Sequence, residues 1–160
     1  MGDFNRKGTS VSKIMTYDRY NTIKTNSTIG CGDNTKPITN LYVKVDAGSY
    51  KFYTDQTVTN LLQPTNTLCL GTKYRFQVVT SVTDFYIGDQ GYKNSSSSSI
   101  IISGDGSPTA GISADESFIL KFNLSATTSM ILKYYSTSNP NMIGTFTINT
   151  WLGEGGFFSY

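Results

Sequence analysis

Residues 40–54 read NLYVKVDAGSYKFYT, and this stretch decides the fold class. Leu41, Val43 and Val45 alternate with polar or amphipathic side chains, which is the period of a strand that buries one face. The small pair Ala47-Gly48 comes next, and a second alternating run follows it. Two alternating runs around a short turn predict a β-hairpin.

The same pattern continues along the chain. Residues 117–124 place Phe118, Leu120, Phe122 and Leu124 on one predicted strand face. Val, Ile, Tyr, Phe and Thr favour strands, and the Gly, Asn, Asp and Ser clusters between the runs favour turns. No run of helical period is long enough for a stable helix. About eight strands at intervals of roughly 10 residues predict an all-β, antiparallel Greek-key β-sandwich. Beyond the hairpin, the runs are residues 67–70, 73–79, 83–88, 100–102, 117–124, 130–135 and 143–148.

The composition removes several kinds of chemistry. The chain has no histidine, so the commonest general base and the usual imidazole metal ligand are missing. Its two cysteines cannot close a zinc site on their own. The net charge of +2 is too small to indicate a nucleic-acid surface. We therefore expect no enzymatic activity, no catalytic residue, no metal site and no cofactor.

The remaining polar motifs favour turns over catalysis. Asp115 and Glu116 are adjacent, and neighbours on a strand point to opposite faces, whereas a glycosidase needs two carboxylates that face one cleft. Asp105 stands between two glycines and is typical of a turn. The serine run at residues 94–99 has no base beside it and is interpreted as a surface loop.

Two terminal segments differ from the middle of the chain. We predict an extended N-terminal arm at residues 1–38, a β-sandwich domain at residues 39–150 and a C-terminal tail at residues 151–160. The arm is polar with short apolar islands, and a disordered tail is the alternative interpretation. Its predicted interaction residues are Ile14, Tyr17 and Tyr20.

The C-terminal tail places large aromatic side chains among glycines. Each aromatic side chain can bury about 150–250 Å², and such residues often dominate interfaces. The tail therefore either folds back on its own sandwich or docks on another subunit. Its predicted interaction residues are Trp151, Phe157, Phe158 and Tyr160.

The cysteines are interpreted from their neighbours and from the expected compartment. The N-terminus has no apolar stretch of the kind that directs secretion, so we expect synthesis in the cytosol. Cys69 lies in the apolar run Leu68-Cys69-Leu70 and is interpreted as a small buried core residue. A disulfide between Cys31 and Cys69 is not favoured in a reducing cytosol.

Three motifs carry a resemblance to a known family. An apolar strand runs into GTKYRF at residues 71–76, and TDFYI follows at residues 83–87. The most specific motif is YYSTSNPNMIG at residues 134–144. On these motifs, residues 41–149 resemble a cupredoxin-like β-sandwich module of the kind found in proteins of large and marine viruses and in some bacteria.

The resemblance implies a copper site whose ligands have been replaced. Copper-carrying relatives hold the metal with two histidines, a cysteine thiolate and a long axial methionine. Thr83 stands at the place of the first histidine, Ser136 at that of the cysteine and Asn139 at that of the second histidine. Only Met142 remains. The resemblance therefore implies a metal-free scaffold in which Met142 and Tyr135 are core packing.

The resemblance and the missing chemistry together favour a structural role. We expect a non-enzymatic structural virion protein, a minor capsid or capsid-associated protein of a large DNA virus, that bridges neighbouring capsid subunits through its termini. It would be synthesised in the host cytoplasm and located in the capsid. Its partners would be the major capsid protein or other minor capsid proteins, with no nucleic acid and no membrane span.

Two alternatives stay open. One is a surface recognition module, such as a fibre or a receptor- or glycan-binding head, that presents residues 94–99 and 103–108 as binding loops. The other is a copper-binding cupredoxin.

Overall fold

The computed structural model describes residues 38–79 and 84–150, and this part of the chain is all-β. No helix long and apolar enough to cross a membrane occurs among these residues. The strands are β1 (Thr39–Asp46), β2 (Ser49–Tyr53), β3 (Thr67–Cys69), β4 (Tyr74–Val78), β5 (Phe85–Gly88), β6 (Ile100–Gly104), β7 (Ser117–Phe122), β8 (Leu132–Ser136) and β9 (Asn139–Asn149).

The strands form two sheets that pack against each other. The five-stranded sheet has the order β2-β1-β4-β7-β6, and the four-stranded sheet has the order β3-β9-β8-β5. Strand β1 runs parallel to β4, and β3 runs parallel to β9, whereas the other pairings are antiparallel. The predicted all-β sandwich is confirmed, and its sheets are mixed rather than purely antiparallel.

The predicted β1–β2 hairpin forms around the predicted turn. Val43 pairs with Phe52, Val45 pairs with Tyr50, and the two-residue turn consists of Ala47 and Gly48. Both turn residues have positive φ, 53° and 80°. A two-residue turn of this handedness matches the right-handed twist of the two strands, which is why it joins them tightly.

An aromatic cluster forms the centre of the core, and Phe76 on β4 lies in its middle. Its ring centroid lies 6.0 Å from Phe52 and 5.6 Å from Phe118 in the same sheet. Across the sandwich it lies 5.9 Å from Phe85 and 5.8 Å from Phe146. All five side chains are buried. One aromatic side chain therefore joins both sheets.

The end of β7 departs from the prediction. Phe118, Leu120 and Phe122 are buried as expected, but β7 ends at Phe122 and Leu124 is fully exposed. The backbone turns after Phe122, where the Asn123 N–H donates to the Ser99 carbonyl and the Ala126 N–H donates to the Asn123 carbonyl. The alternating pattern in the sequence continues to Leu124, two residues beyond the end of the strand, and so the placement of Leu124 on the strand was wrong.

Candidate functional site

The residues predicted to make interactions lie outside the described part of the chain. They remain predictions: Ile14, Tyr17, Tyr20, Trp151, Phe157, Phe158 and Tyr160. The domain boundaries at residues 38 and 150 also stay predictions, although the first strand begins at Thr39 and the last ends at Asn149. What the structure does place is the point at which each terminal segment meets the sandwich.

Both points lie at the same end of the sandwich. The Thr39 N–H donates to the Lys73 carbonyl, and the Leu70 N–H donates to the Asn149 carbonyl, each at 2.8 Å. Leu70–Lys73 is the turn that joins β3 to β4, so the first and last strands flank one turn. We call this group, Thr39, Leu70–Lys73 and Asn149, the terminal end. Segments that continue from the two strands therefore start beside each other.

A buried tyrosine fixes the turn at the terminal end. The Tyr74 hydroxyl accepts a hydrogen bond of 2.8 Å from the Cys69 N–H. Burial raises the pKa of Tyr74 to about 12, because the charged phenolate is disfavoured away from water. The phenol therefore stays neutral at physiological pH and holds the end of β3 in place.

Cys69 is fully buried and disulfide-bonded. The interpretation of Cys69 as a buried residue is confirmed, and Cys69 is in a disulfide although the expected reducing compartment did not favour one. The sequence contains one other cysteine, Cys31, which lies outside the described residues. The expectation depended on the redox compartment, and the residues around Cys69 carry no information about that compartment.

The opposite end of the sandwich holds the residues that correspond to copper ligands in the resemblance. Because β9 runs from Asn139 to Asn149, its first residue lies far from the terminal end. Ser136 ends β8, and a short turn leads to Asn139. The Thr137 N–H donates to the Asp84 carbonyl at 2.9 Å. This contact places the turn beside the residue that follows Thr83, which itself lies outside the described part.

The side chains present there do not fit a copper ion. The Ser136 hydroxyl is buried, lies 3.2 Å from the Ser138 hydroxyl and accepts the Ser138 N–H. The Asn139 side-chain oxygen accepts the Asn141 N–H at 3.0 Å. Met142 packs against the core, as expected. Neutral hydroxyl and amide oxygens bonded to their own turn offer no soft anionic ligand. Among the described residues no group of three His, Cys, Asp or Glu could hold a metal.

Two tyrosine hydroxyls bond to main-chain carbonyls at this end. The Tyr92 hydroxyl donates to the Ser136 carbonyl at 2.8 Å, and the Tyr135 hydroxyl donates to the Pro108 carbonyl at 3.0 Å. Their rings meet edge to face with centroids 5.1 Å apart. Tyr135 is fully buried, as expected, and burial raises its pKa to about 12. We call the group formed by residues 89–94, 105–112 and 136–139 the loop end.

The serine run is bonded to a carboxylate that sequence reasoning did not single out. Asp89 accepts hydrogen bonds from both the N–H and the hydroxyl of Ser97. The Asn94 side chain donates to the Gln90 carbonyl at 2.8 Å. Position 106, in the second loop, requires glycine. A Cβ on Gly106 would lie only 2.5 Å from the Gly111 carbonyl oxygen. The loops proposed for recognition thus have a defined shape.

The other carboxylates act in turns, as interpreted. Glu116 accepts the N–H of Ser113 at 2.8 Å, and Asp105 accepts the N–H of Ser117 at 3.1 Å. Asp115 has a positive φ of 69°, a conformation that Asp tolerates better than most residues. The Glu116 and Asp105 carboxylates are therefore bonded to nearby main-chain groups.

Asp55 is the strongest local anchor that the sequence analysis missed. Its carboxylate accepts hydrogen bonds from the hydroxyls of Thr57 and Thr59 and from the main-chain N–H groups of Thr59 and Asn60. These donors, with the threonine hydroxyls first, hold the pKa of Asp55 well below its usual value. The sequence contains a signal for this arrangement, because Thr57 and Thr59 follow Asp55 by two and four residues and can donate to its carboxylate.

Comparison with known proteins adds no relative. No family model matches the chain, and no curated protein matches it. The resemblance to a cupredoxin-like module therefore stays a prediction from the three motifs.

Proposed function

We propose that this protein is a non-enzymatic structural component of a virion, a minor capsid or capsid-associated protein of a large DNA virus. It bridges neighbouring capsid subunits through its two terminal segments. The partners are the major capsid protein or other minor capsid proteins, and the site of action is the capsid. The observation that carries the proposal is that Thr39 and Asn149, the strand ends next to the two terminal segments, both lie at the terminal end.

This convergence suits a bridging role. A segment that adds a strand to a neighbour gains affinity from main-chain hydrogen bonds, and an aromatic tail gains it from buried rings. Two linked segments that leave from the same place raise each other's effective concentration at a shared target. Thr39 and Asn149 lie on either side of the Leu70–Lys73 turn, so both segments join the sandwich at one end, from which one protein could bind two adjacent subunits.

The loop end supports a scaffold rather than a metal carrier. Ser136 and Asn139 direct their side chains to their own turn, and Tyr92 and Tyr135 bond to main-chain carbonyls. Side chains used in this way stabilise a shape. The proposed cupredoxin-like Greek-key module would then serve as a rigid body between two binding segments.

The test is incorporation into particles. Replacing Trp151, Phe157, Phe158 and Tyr160 together with serine keeps the length of the tail and removes its apolar surface. We expect incorporation to fall strongly, while the β-sheet circular dichroism of the purified protein is unchanged. The matched control is Leu124→Ser, since Leu124 is the most exposed apolar side chain of the described sandwich. Unchanged incorporation of the tail variant would refute the anchoring role.

The arm is tested separately. The triple substitution Ile14→Lys, Tyr17→Lys and Tyr20→Lys adds charge to its apolar islands, and we expect reduced incorporation with an intact tail. If neither terminal variant affects incorporation, the bridging function is wrong even if the protein is found in particles.

A second candidate function rests on the shape of the loops. Residues 94–99 precede β6 and residues 105–108 follow it, whereas Ser103 and Gly104 of the predicted second loop belong to β6 itself. Asp89 bonds the first loop, and the Gly106 backbone lies close to Gly111 in the second. Polar loops held in this way suit a surface that binds a receptor or a glycan. A glycan array with the purified chain tests this, since saturable binding that is lost on Asp89→Ala would favour recognition over bridging.

A copper function is tested by titration with Cu(II). We expect no thiolate-to-copper charge-transfer band, because Cys69 is disulfide-bonded and Ser136 replaces the ligating cysteine. Such a band would restore the copper-binding alternative.

A further inference from the structure

The five-stranded sheet has an outer face that is basic and aromatic. Side chains alternate between the two faces of a strand, and on β1 and β2 the buried side chains point into the core. On the other face, Tyr42 lies opposite Tyr53, and Lys44 lies opposite Lys51. Strands β4 and β7 extend this face with further cations. We call the group the basic face: Tyr42, Tyr53, Lys44, Lys51, Arg75 and Lys121.

Charge is unevenly distributed over the sandwich. Residues 38–79 and 84–150 contain seven basic and seven acidic residues, so their formal charges cancel. Four of the basic side chains lie on the basic face, where the strands carry one acidic side chain, Asp46. The other six acidic residues of this part of the chain lie outside the strands. The net charge, on which the expectation of no nucleic-acid partner depended, does not reveal this separation.

The cations of the basic face are poorly neutralised by the sandwich itself. Among the described residues the one ion pair joins Lys51 Nζ to Asp46 Oδ2 at 3.1 Å, and it is exposed, so it contributes little. The Arg75 guanidinium donates to the neutral Asn40 amide oxygen at 3.3 Å. Lys44 lies directly opposite Lys51, and like charges in this arrangement destabilise a sheet. Charge complementarity therefore selects an anionic occupant.

Two tyrosine rings lie among these cations. Tyr42 and Tyr53 are partly exposed, and neither takes part in the ring contacts found along residues 38–79 and 84–150, which belong to the buried cluster and to Tyr92. Exposed rings on a sheet stack the bases of a single strand, while basic groups meet its backbone. An acidic peptide would use the cations and not the rings, and a duplex keeps the faces of its bases stacked away from them.

We propose that the basic face binds single-stranded nucleic acid. Tyr42 and Tyr53 stack bases, and Lys44, Lys51 and Arg75 contact the phosphates beside them. Side chains two residues apart on a strand are about 7 Å apart, and neighbouring strands are about 4.8 Å apart, so rings and cations reach adjacent nucleotides of one strand. This inference does not rest on the proposed function, because it concerns the purified chain alone.

Fluorescence anisotropy with a labelled oligothymidylate of about 12 nucleotides tests the binding. We expect saturable binding that weakens as salt is added, because bound cations displace the counterions of the phosphates. Duplex DNA and polyglutamate should compete more weakly than unlabelled oligothymidylate. Absence of saturable binding at low salt overturns the proposal, and so does equal competition by either polyanion.

Lysine substitutions test the charges. We expect Lys44→Gln combined with Lys121→Gln to reduce the slope of log K against log salt by about 1.4, since each phosphate contact on a single strand contributes about 0.7. The matched control is Lys93→Gln combined with Lys133→Gln, because these two lysines lie outside the basic face. An equal reduction in both pairs, or none in the first, overturns the proposal.

Tyrosine substitutions test the rings. We expect Tyr42→Ala combined with Tyr53→Ala to weaken binding by roughly tenfold or more with the salt slope unchanged, because stacking carries no charge. Tyr42→Phe combined with Tyr53→Phe keeps both rings and should retain the affinity. Circular dichroism checks that each variant keeps its β-sheet. Full affinity in a folded alanine variant, or an equal loss in the phenylalanine variant, overturns the stacking role.

Discussion

Single side chains decide local geometry in this protein, and Asp55 is the clearest case. One exposed carboxylate joins two threonine hydroxyls and two main-chain N–H groups into a tight loop between β2 and β3. Gly144 is a second case, because a Cβ there would overlap the ring and hydroxyl of Tyr134 across the β8–β9 pair. Each of these two residues constrains the backbone around it.

The lowered pKa of Asp55 predicts an acid-dependent loss of stability. A carboxyl whose folded pKa is depressed stabilises the protein above its unfolded pKa, which is 3.8 here, and this contribution is lost as the pH falls below that value. We expect Asp55→Asn to be less stable than the parent at neutral pH, with a difference that shrinks below about pH 4.

Urea denaturation at a series of pH values measures this difference. Asp115→Asn is the control for removal of one negative charge from an exposed turn. A gap between the parent and Asp55→Asn that stays constant down to about pH 2 would contradict the prediction.

Gly144→Ala tests the close approach of Tyr134. Gly144 has no positive φ, so the cost of alanine is steric, and overpacking of this kind costs about 1–3 kcal/mol. We expect that loss of unfolding free energy by chemical denaturation, and little change for the adjacent exposed Thr145→Ala. The double variant with Tyr134→Leu should recover part of the loss, and failure to recover would point to a cause other than the ring.

At the scale of elements, strands were predictable wherever apolar and polar residues alternate. The β1–β2 hairpin has this alternation and was predicted with its turn. Strand β9 was predicted only from residue 143, but it begins at Asn139. Its first residues are polar or half-exposed, and they belong to the strand because their main chain pairs with β8. Partner choice is a nonlocal property, so the parallel β1–β4 and β3–β9 pairs left no signal in the local pattern.

The hairpin turn offers a stabilising substitution. Ala47 has φ of 53°, a left-handed conformation that costs an ordinary residue about 1–2 kcal/mol and that asparagine tolerates better. Asn-Gly is also the preferred pair for this turn. We expect Ala47→Asn to raise the unfolding free energy by about 0.5–1 kcal/mol. Thermal denaturation measures it, with Ala110→Asn as the control. An equal gain in both variants would assign the effect to asparagine rather than to the turn.

At the scale of the whole molecule, the two sheets share one aromatic core, and the two ends of the sandwich differ in structure. Two tyrosine hydroxyls bond to main-chain carbonyls at the loop end, and the terminal end gathers the points where the flanking segments begin. Sequence reasoning identified those segments as different from the sandwich, but it could not predict that they start side by side. That arrangement follows from the β1–β4 and β3–β9 pairs, which bring Thr39 and Asn149 to one turn.

The shared core predicts cooperative unfolding. Phe76 contacts aromatic rings of both sheets, so Phe76→Ala should cost about 3–5 kcal/mol and lower the stability of both sheets together. Hydrogen exchange of β1, β4, β8 and β9 amides measures this, with exposed Ile143→Ala as the control. Loss of protection confined to the five-stranded sheet would show that the sheets unfold independently.

The β3–β9 pair also has a consequence for biosynthesis. It joins residue 67 to residue 147, so the partner of an early strand is among the last parts of the described chain to be made. A nascent polypeptide grows from its N-terminus. Strand β3 therefore has no pairing partner until β9 leaves the ribosome. Contacts between such distant residues also make folding slow. Completion of the four-stranded sheet is therefore a late event, after translation has passed Asn149, and chaperones that shield exposed strands have their longest opportunity during that interval.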